Sequence, residues 1–368
     1  LLSVSTLSKI LLVVVGAAMT GGIVFGLVQV GTAEEPDETI PVALETRTPS
    51  STPSTTTSSS TTTTSTPPTT TTTVPPRETL VIQGTGDVNL DPSYIPNLAA
   101  KGYDYAWTGV DGIFLGDDLS VVNLECAPAD IGTPEPKEFV FQCPTESLPS
   151  LAKAGIEVAN LGNNHSGDYG KEALVDGRAN LIAAGVAPVG AGKNFAEAGE
   201  PALFDIGGWR VAVVGFGGVY PTPAWFATED EPGMRNGDDI ASMVEAVAAA
   251  AEQADIVVVS IHWGVELDTE PRPEDVERAE AMIEAGADVI FGHHAHRLQP
   301  VEMVGDSAVF WGLGNFVWPR FSTAGSTTGV ARAVVHPDGT IEACLIPAFI
   351  ENSGQPVLTG EPECGPER

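Results

Sequence analysis

Hydrophobic positions divide the chain into three regimes. From Ile10 to Val30 no residue is charged, and most are Leu, Val, Ile, Ala or Gly. At about 1.5 Å per residue this run reaches roughly 31 Å, the depth of a bilayer's hydrocarbon core. From Thr48 to Thr73, 22 of 26 residues are Ser or Thr and the other four are Pro. Such a stretch has nothing to bury and cannot offset its ordering entropy, so it predicts a disordered stalk. From about Thr79 onward strand-like and helix-like periods alternate. The resulting division is an anchor or signal segment over 1–33, a stalk over 34–78, one globular domain over 79–350 and a tail over 351–368.

Within the domain, apolar runs at Thr79–Gln83, Leu119–Leu124, Glu157–Leu161, Val186–Val189, Leu203–Ile206, Arg210–Phe216, Ile256–Ile261 and Asp288–Phe291 predict strands. Helical spacing occupies Thr145–Ala154, Lys171–Ala184, Asp239–Gln253 and Pro273–Ala285, the last with Pro in its first turn and Gly286 after its end. This alternation predicts βαβ units. Farther on, Val301–Val304, Ala308–Trp311, Val330–His336 and Ile341–Ile346 are separated by Gly-Asp and Asp-Gly turns, as in an antiparallel meander. Two layered sheets with helices follow.

Charge and cysteine content narrow the setting. Lys9 precedes the apolar run, and Glu34, Glu35 and Asp37 follow it, which places the N-terminus inside and the rest outside. A run this long reads as an uncleaved anchor; cleavage after the small residues Gly31-Thr32-Ala33 is the alternative, and both export the domain. A formal charge of −32 argues against nucleic acid as a partner. It also disfavours polyanionic ligands unless a metal or local arginines neutralise the contact zone. Four cysteines in an exported chain point to two disulfides. The sequence-local pairing is Cys126–Cys143 with Cys344–Cys364. Thiolate metal ligation is the competing reading, and the chain has no CxxC spacing to support it.

The chemistry gathers at predicted strand ends. Asp87, Glu125, Asn164-His165, His262 and the trio His293, His294 and His296 each follow an apolar run. Imidazoles and carboxylates at one locus suit a transition metal, with Mn, Zn and Fe all compatible. His294 and His296, two apart in extended backbone, would face one ion while His293 points away. Asp87, Glu125, Asn164, His262, His294 and His296 are the expected ligands of one or two ions, and Glu125 is suited to bridge them. A metal-bound hydroxide would then attack a phosphoryl or acyl group. His165, oriented by Asp168, would assist the leaving group. His336, in a His-Pro-Asp-Gly hairpin tip, carries no expected role.

Taken in order, Gly86-Asp87, Asn123-Leu124-Glu125, Asn163-Asn164-His165 with Asp168-Tyr169-Gly170, His262-Trp263-Gly264 with Glu266, Gly292-His293-His294-Ala295-His296 and Gly314-Asn315-Phe316 resemble the CapA family of capsule-biosynthesis proteins, the poly-γ-glutamate capsule proteins. The similarity runs from about Leu80 to Phe316. That family in turn resembles the calcineurin-like metallophosphoesterases, which implies an α/β (α+β) fold, a four-layer α-β-β-α sandwich of the metallophosphatase type. The resemblance matches Asp87 to the first metal-binding aspartate, Glu125 to the bridging carboxylate and Asn164-His165 to the Asn-His pair. It matches His262 to the mid-chain histidine, and His294 with His296 to the closing Gly-His-x-His. Asn89 stands where the superfamily carries a second early histidine, so one metal position is short of an imidazole. Asn89, Asn123, Glu266, His293 and Asn315 are expected to support the ligands from behind.

The expectation is a membrane-anchored extracytoplasmic hydrolase acting on a surface polymer or a phosphoester, alongside other capsule-assembly proteins. The alternative is a non-catalytic accessory protein that binds polymer in the same pocket.

Overall fold

The computed structural model describes residues 76–364, so the expected anchor and nearly all of the expected stalk lie outside the described residues. Among those described, no helix is long and apolar enough to cross a membrane. Four parallel strands begin the domain: β1 (Leu80–Val88), β2 (Leu119–Leu124), β3 (Val158–Asn160) and β4 (Ala187–Val189). After β5 (Ala191–Gly192) the chain starts a second sheet with the hairpin β6 (Ala202–Ile206) and β7 (Trp209–Gly217). The short β8 (Gly233–Met234) pairs back to β5. Next, β9 (Ile256–His262) and β10 (Val289–His293) run parallel to β7, and β11 (Val301–Val304) with β12 (Ser307–Phe310) completes that sheet. The chain then returns to the first sheet through β13 (Asn315–Val317), β14 (Thr327–Val335), β15 (Ile341–Asn352), β16 (Gln355–Leu358) and β17 (Glu363–Cys364).

Burial explains the layering. Leu80, Ile82, Val121 and Val158 of the first sheet share one buried cluster with Val211, Val213, Val258, Val289 and Phe291 of the second. The alternate residues of β9, Val257, Val259 and Ile261, point the other way and pack on the helices Ile240–Ala251 and Pro273–Glu284. On the far face of the first sheet, Val88, Val122, Leu124 and Ala159 meet Leu98, Leu151, Leu174 and Leu181 of three further helices. Each fully buried Val or Leu contributes roughly 1.5–3 kcal/mol, so strands apolar on both faces are fixed in register. A one-residue slip of β9 would exchange its two faces and turn His262 away from its neighbours.

Two expectations are corrected here. The C-terminal strands do not form one meander, because β11–β12 joins the second sheet while β14–β15 joins the first. Turn chemistry marks a hairpin but says nothing about which sheet receives it. The segment after Glu351, expected as a tail, instead adds β16 and β17 to the edge of β15. Both sequence-local disulfides, Cys126–Cys143 and Cys344–Cys364, are present, and no described cysteine is free.

Candidate functional site

The ligand-type residues stand at the carboxyl ends of parallel strands, where α/β sheets gather ligands. Asp87 near the end of β1 is in register with Asn123 of β2, and Glu125 follows β2 directly. In the second sheet His262 ends β9 in register with His293, which ends β10. Gly86 makes the approach possible: a Cβ there would stand 2.1 Å from the Gly314 carbonyl oxygen. The Asp87 amide donates to that same oxygen at 2.9 Å, which fixes the carboxylate's position.

Two groups of donor atoms converge, each with its atoms within 4.8 Å of one another, and Glu125 belongs to both. One group is Asp87, Glu125 and His262; the other is Glu125, His294 and His296. His262 Nε2 lies 3.5 Å from Glu125 Oε1 and 2.8 Å from Asn164 Oδ1, which brings Asn164 into the cluster. His296 Nδ1 lies 3.0 Å from Asp87 Oδ2. Behind them, Asn123 Nδ2 donates to Asp87 Oδ1 at 2.9 Å and lies 3.1 Å from His262 Nδ1. The histidines after β10 do not reach the cluster by extended alternation. His294 (φ 86°) and His296 (φ 52°) both adopt left-handed backbone, and His293 Nδ1 stays 3.9 Å from Asp87 Oδ1 rather than pointing away. Its Nε2 sits 2.9 Å from Ser260 Oγ.

The donors fit a cation. Both Glu125 oxygens and Nδ1 of His293 and His294 are buried without hydrogen-bond partners, while Asp87 Oδ2 and His296 Nδ1 face each other. Orphaned polar atoms are costly in a folded core, so four at one locus mark a place built for something that binds them. Burial pushes the Glu125 carboxyl well above its usual range, and the charge of Asp87 adds to this. Burial would raise Asp87 too, but the His296 hydrogen bond and the charges of His296 and His293 outweigh it and hold Asp87 low. Burial lowers His293 and His294 to about 4, and His262 falls well below its ordinary value through burial and its histidine neighbours. These three neutral imidazoles keep the bare nitrogen that metal ligation needs, whereas His296 is raised against burial by the hydrogen bond and charge of Asp87.

At the edge of the cluster His165 Nδ1 lies 2.7 Å from Asp168 Oδ2, and its Nε2 is 3.9 Å from Glu125 Oε1. Burial lowers His165, partly offset by Asp168. Asn163 builds this turn: its Oδ1 accepts from the His165 and Ser166 amides, and its Nδ2 donates to the Leu124 carbonyl. Lys137 completes it. Its Nζ pairs with Asp168 Oδ1, donates to the Asn164 carbonyl at 2.5 Å and stands 3.2 Å from His165 Nδ1. A cavity of about 470 Å³ opens on His165 and His296, walled by Tyr94, Phe139, Phe141, Leu267, Trp318 and Phe321.

The sequence relates to known proteins over this same region. A family description, bacterial capsule synthesis protein PGA_cap, matches residues 81–320. The chain belongs to the PGA_cap family. The capsule biosynthesis protein CapA of Bacillus anthracis is 35% identical over 227 residues, covering 61% of this chain and 55% of that one. The PGA biosynthesis protein CapA of Bacillus subtilis is 31% identical over 249 residues, covering 65% and 63%. A probable polyglutamine synthesis accessory protein of Mycobacterium tuberculosis is 32% identical over 213 residues, covering 54% and 55%. The matches thus span little more than half the length of these relatives. Among solved structures, the NAD nucleotidase NadN of Haemophilus influenzae superposes with a TM-score of 0.46 at 13% identity, covering 79% of this chain and 54% of that one.

Every expected ligand lies inside the PGA_cap match, and the structure brings all six together. Of the expected supporting residues, Asn123 and His293 touch the cluster, while Glu266 and Asn315 line the cavity. Asn89 does not support the ligands. It turns into the loop after β1, where its Oδ1 accepts from the Asp91 amide. A short side chain that hydrogen-bonds two residues onward favours this local turn. Sequence reasoning missed Lys137, Arg297 and the aromatic walls. Lys137 lies between Cys126 and Cys143, and that disulfide was the one available sign that its loop folds back beside Glu125.

Proposed function

We propose that this chain is a metal-dependent hydrolase acting outside the cytoplasm on a surface polymer of the poly-γ-glutamate type or on a phosphoester. We read its layered sheets as the metallophosphatase arrangement. The observation that carries the proposal is the set of buried, unpartnered carboxylate and imidazole atoms beside the His165–Asp168 pair. Asp87, Glu125, Asn164, His262, His294 and His296 would hold one or two divalent ions, Mn, Zn or Fe. Ions there supply Lewis-acid activation of water and of the substrate's oxygen.

The chain's own residues do the rest. Asn123 fixes the orientation of Asp87 and His262. Asp168 holds Nδ1 of His165, leaving Nε2 directed at the cluster and the cavity, where it delivers a proton to the leaving group. The two disulfides and the uncharged run Ile10–Val30 support an exported, membrane-anchored setting.

The test measures metal content and hydrolysis of bis-p-nitrophenyl phosphate and of γ-glutamyl-p-nitroanilide. Wild type should carry metal and cleave at least one substrate, and a His294→Ala His296→Ala variant should lose both properties. A wild type that is metal-free, inactive and indistinguishable from that variant would sink the proposal. It would favour a second reading, supported by Asn89 standing where an imidazole is expected: an accessory protein that binds polymer in the cavity without cleaving it.

A further inference from the structure

The cavity above the cluster has a polarity of its own. Tyr94, Phe141 and Trp318 form a continuous wall, with ring centroids 4.5 Å apart for Tyr94–Phe141 and 5.8 Å for Phe141–Trp318. Two charged side chains besides the histidines line it, Glu266 at the exposed rim and Arg297. Arg297 directly follows His296, whose ring meets Asp87, and lines the cavity beside the cluster. Its hydrogen bond among the described residues runs from Nη1 to the His296 carbonyl at 2.6 Å, and it makes no ion pair there. The nearby Arg272 and Arg278 differ, since both are tied to Asp275. An arginine without a carboxylate partner, in a chain of net charge −32, is an available counter-charge where it stands. Its planar fork matches the oxygens of a carboxylate or phosphate.

We propose that Arg297 anchors an oxyanion subsite: it binds a carboxylate or phosphate on the part of the substrate that is not cleaved, while the aromatic wall packs the stretch between that anion and the reacting bond. This rests on the hydrolase reading of the adjoining cluster and names what its substrate must carry. It also answers the electrostatic objection to an anionic ligand, because the repulsion of the chain's net charge is met locally by one fixed cation.

The test compares wild type, Arg297→Gln and Arg297→Lys, each checked for an unchanged thermal melt. Calorimetric titration uses N-acetyl-glutamate against its neutral diamide, and glycerol 1-phosphate against glycerol, so the two arms tell carboxylate from phosphate. Wild type should prefer one anion over its neutral partner by roughly tenfold or more, as charge-assisted hydrogen bonds do. Arg297→Gln should lose that preference and Arg297→Lys should keep part of it. With γ-glutamyl-p-nitroanilide, Arg297→Gln should raise KM by a similar factor and leave kcat nearly unchanged. Equal preference in wild type and Arg297→Gln, or none in wild type, overturns the subsite. Anion preference that depends on Arg297 without any hydrolysis would remove the hydrolase reading and leave the subsite standing. If Arg297→Gln does not fold, the weakened preference of Arg297→Lys decides.

Discussion

The two ends of the parallel strands treat their carboxylates differently. At the entry ends, Asp118, Glu157, Asp255 and Asp288 each precede a strand and accept the backbone amide of a residue in the neighbouring strand: Val81, Ser120, Arg210 and Val257, at 2.7–2.9 Å. At the exit ends, Asp87 and Glu125 are fully buried; Asp87 is held by Asn123 and His296, and both Glu125 oxygens have no partner. The entry carboxylates close gaps in the sheet edge, satisfying backbone groups that would otherwise be orphaned. At the exit end, Glu125 is left orphaned. Acids that stabilise a fold are thus separated by one strand length from acids that weaken it and serve a site.

The sharpest break of this comparison is Glu125→Gln. Hydrolysis and metal content should both fall by more than about a hundredfold, since a ligand counts for more than the residues that only orient it. Its melting temperature in chelator should be no lower than wild type's, because a buried carboxylate without a partner is removed. A clear drop in that temperature would show that Glu125 belongs with the stabilising acids. Next in size, Lys137→Met should lower kcat roughly 10–100-fold with metal content unchanged, and Lys137→Arg should restore part of it. Lys137 acts by position, holding Asp168 and the Asn164 carbonyl. An unaltered kcat, or metal lost in parallel, would contradict that role.

The smallest effect belongs to the entry end. Burial raises Asp288 to about 6, with the Val257 amide opposing. The native state therefore keeps this proton longer than the unfolded chain does. Stability from Asp288 is fully present below about pH 4, near the ordinary carboxylate value, and is lost as pH rises through about 6. In chemical denaturation, Asp288→Asn should flatten the wild-type decline across that window and leave hydrolysis untouched. An unchanged slope would remove Asp288 from the account.

The exit-end residues were legible in the sequence because a strand announces itself by apolar residues, and whatever follows it is carried to the sheet edge. Asp87, Glu125, His262 and the trio after Phe291 all obey this rule. The sequence did not reveal the residues brought in by loops. Lys137 precedes Asn164 and Asp168 by 27 and 31 positions, Arg297 sits one residue past His296, and Tyr94 and Trp318 meet across more than half of the chain. No periodicity links such positions. Nor did pattern foretell the left-handed turn at His294 and His296, since histidine there runs against steric preference. The sheet assignment of β11–β12 was hidden for a related reason: pairing partners are chosen by the packing of layers, not by the hairpin's own residues.

That left-handed turn has a consequence for the proposed metal site. Among the described residues, four that are not glycine have positive φ, and three of them, Leu267, His294 and His296, border the site. Such backbone costs on the order of 1–3 kcal/mol per residue and persists only where surrounding packing enforces it. The cost falls when the chain folds, before any ion arrives. A histidine loop already bent to shape has little conformational freedom left to surrender on binding, so more of the ligation free energy can appear as affinity. The turn is therefore a form of pre-organisation, with the fold doing in advance the ordering that a slack loop would leave to the metal.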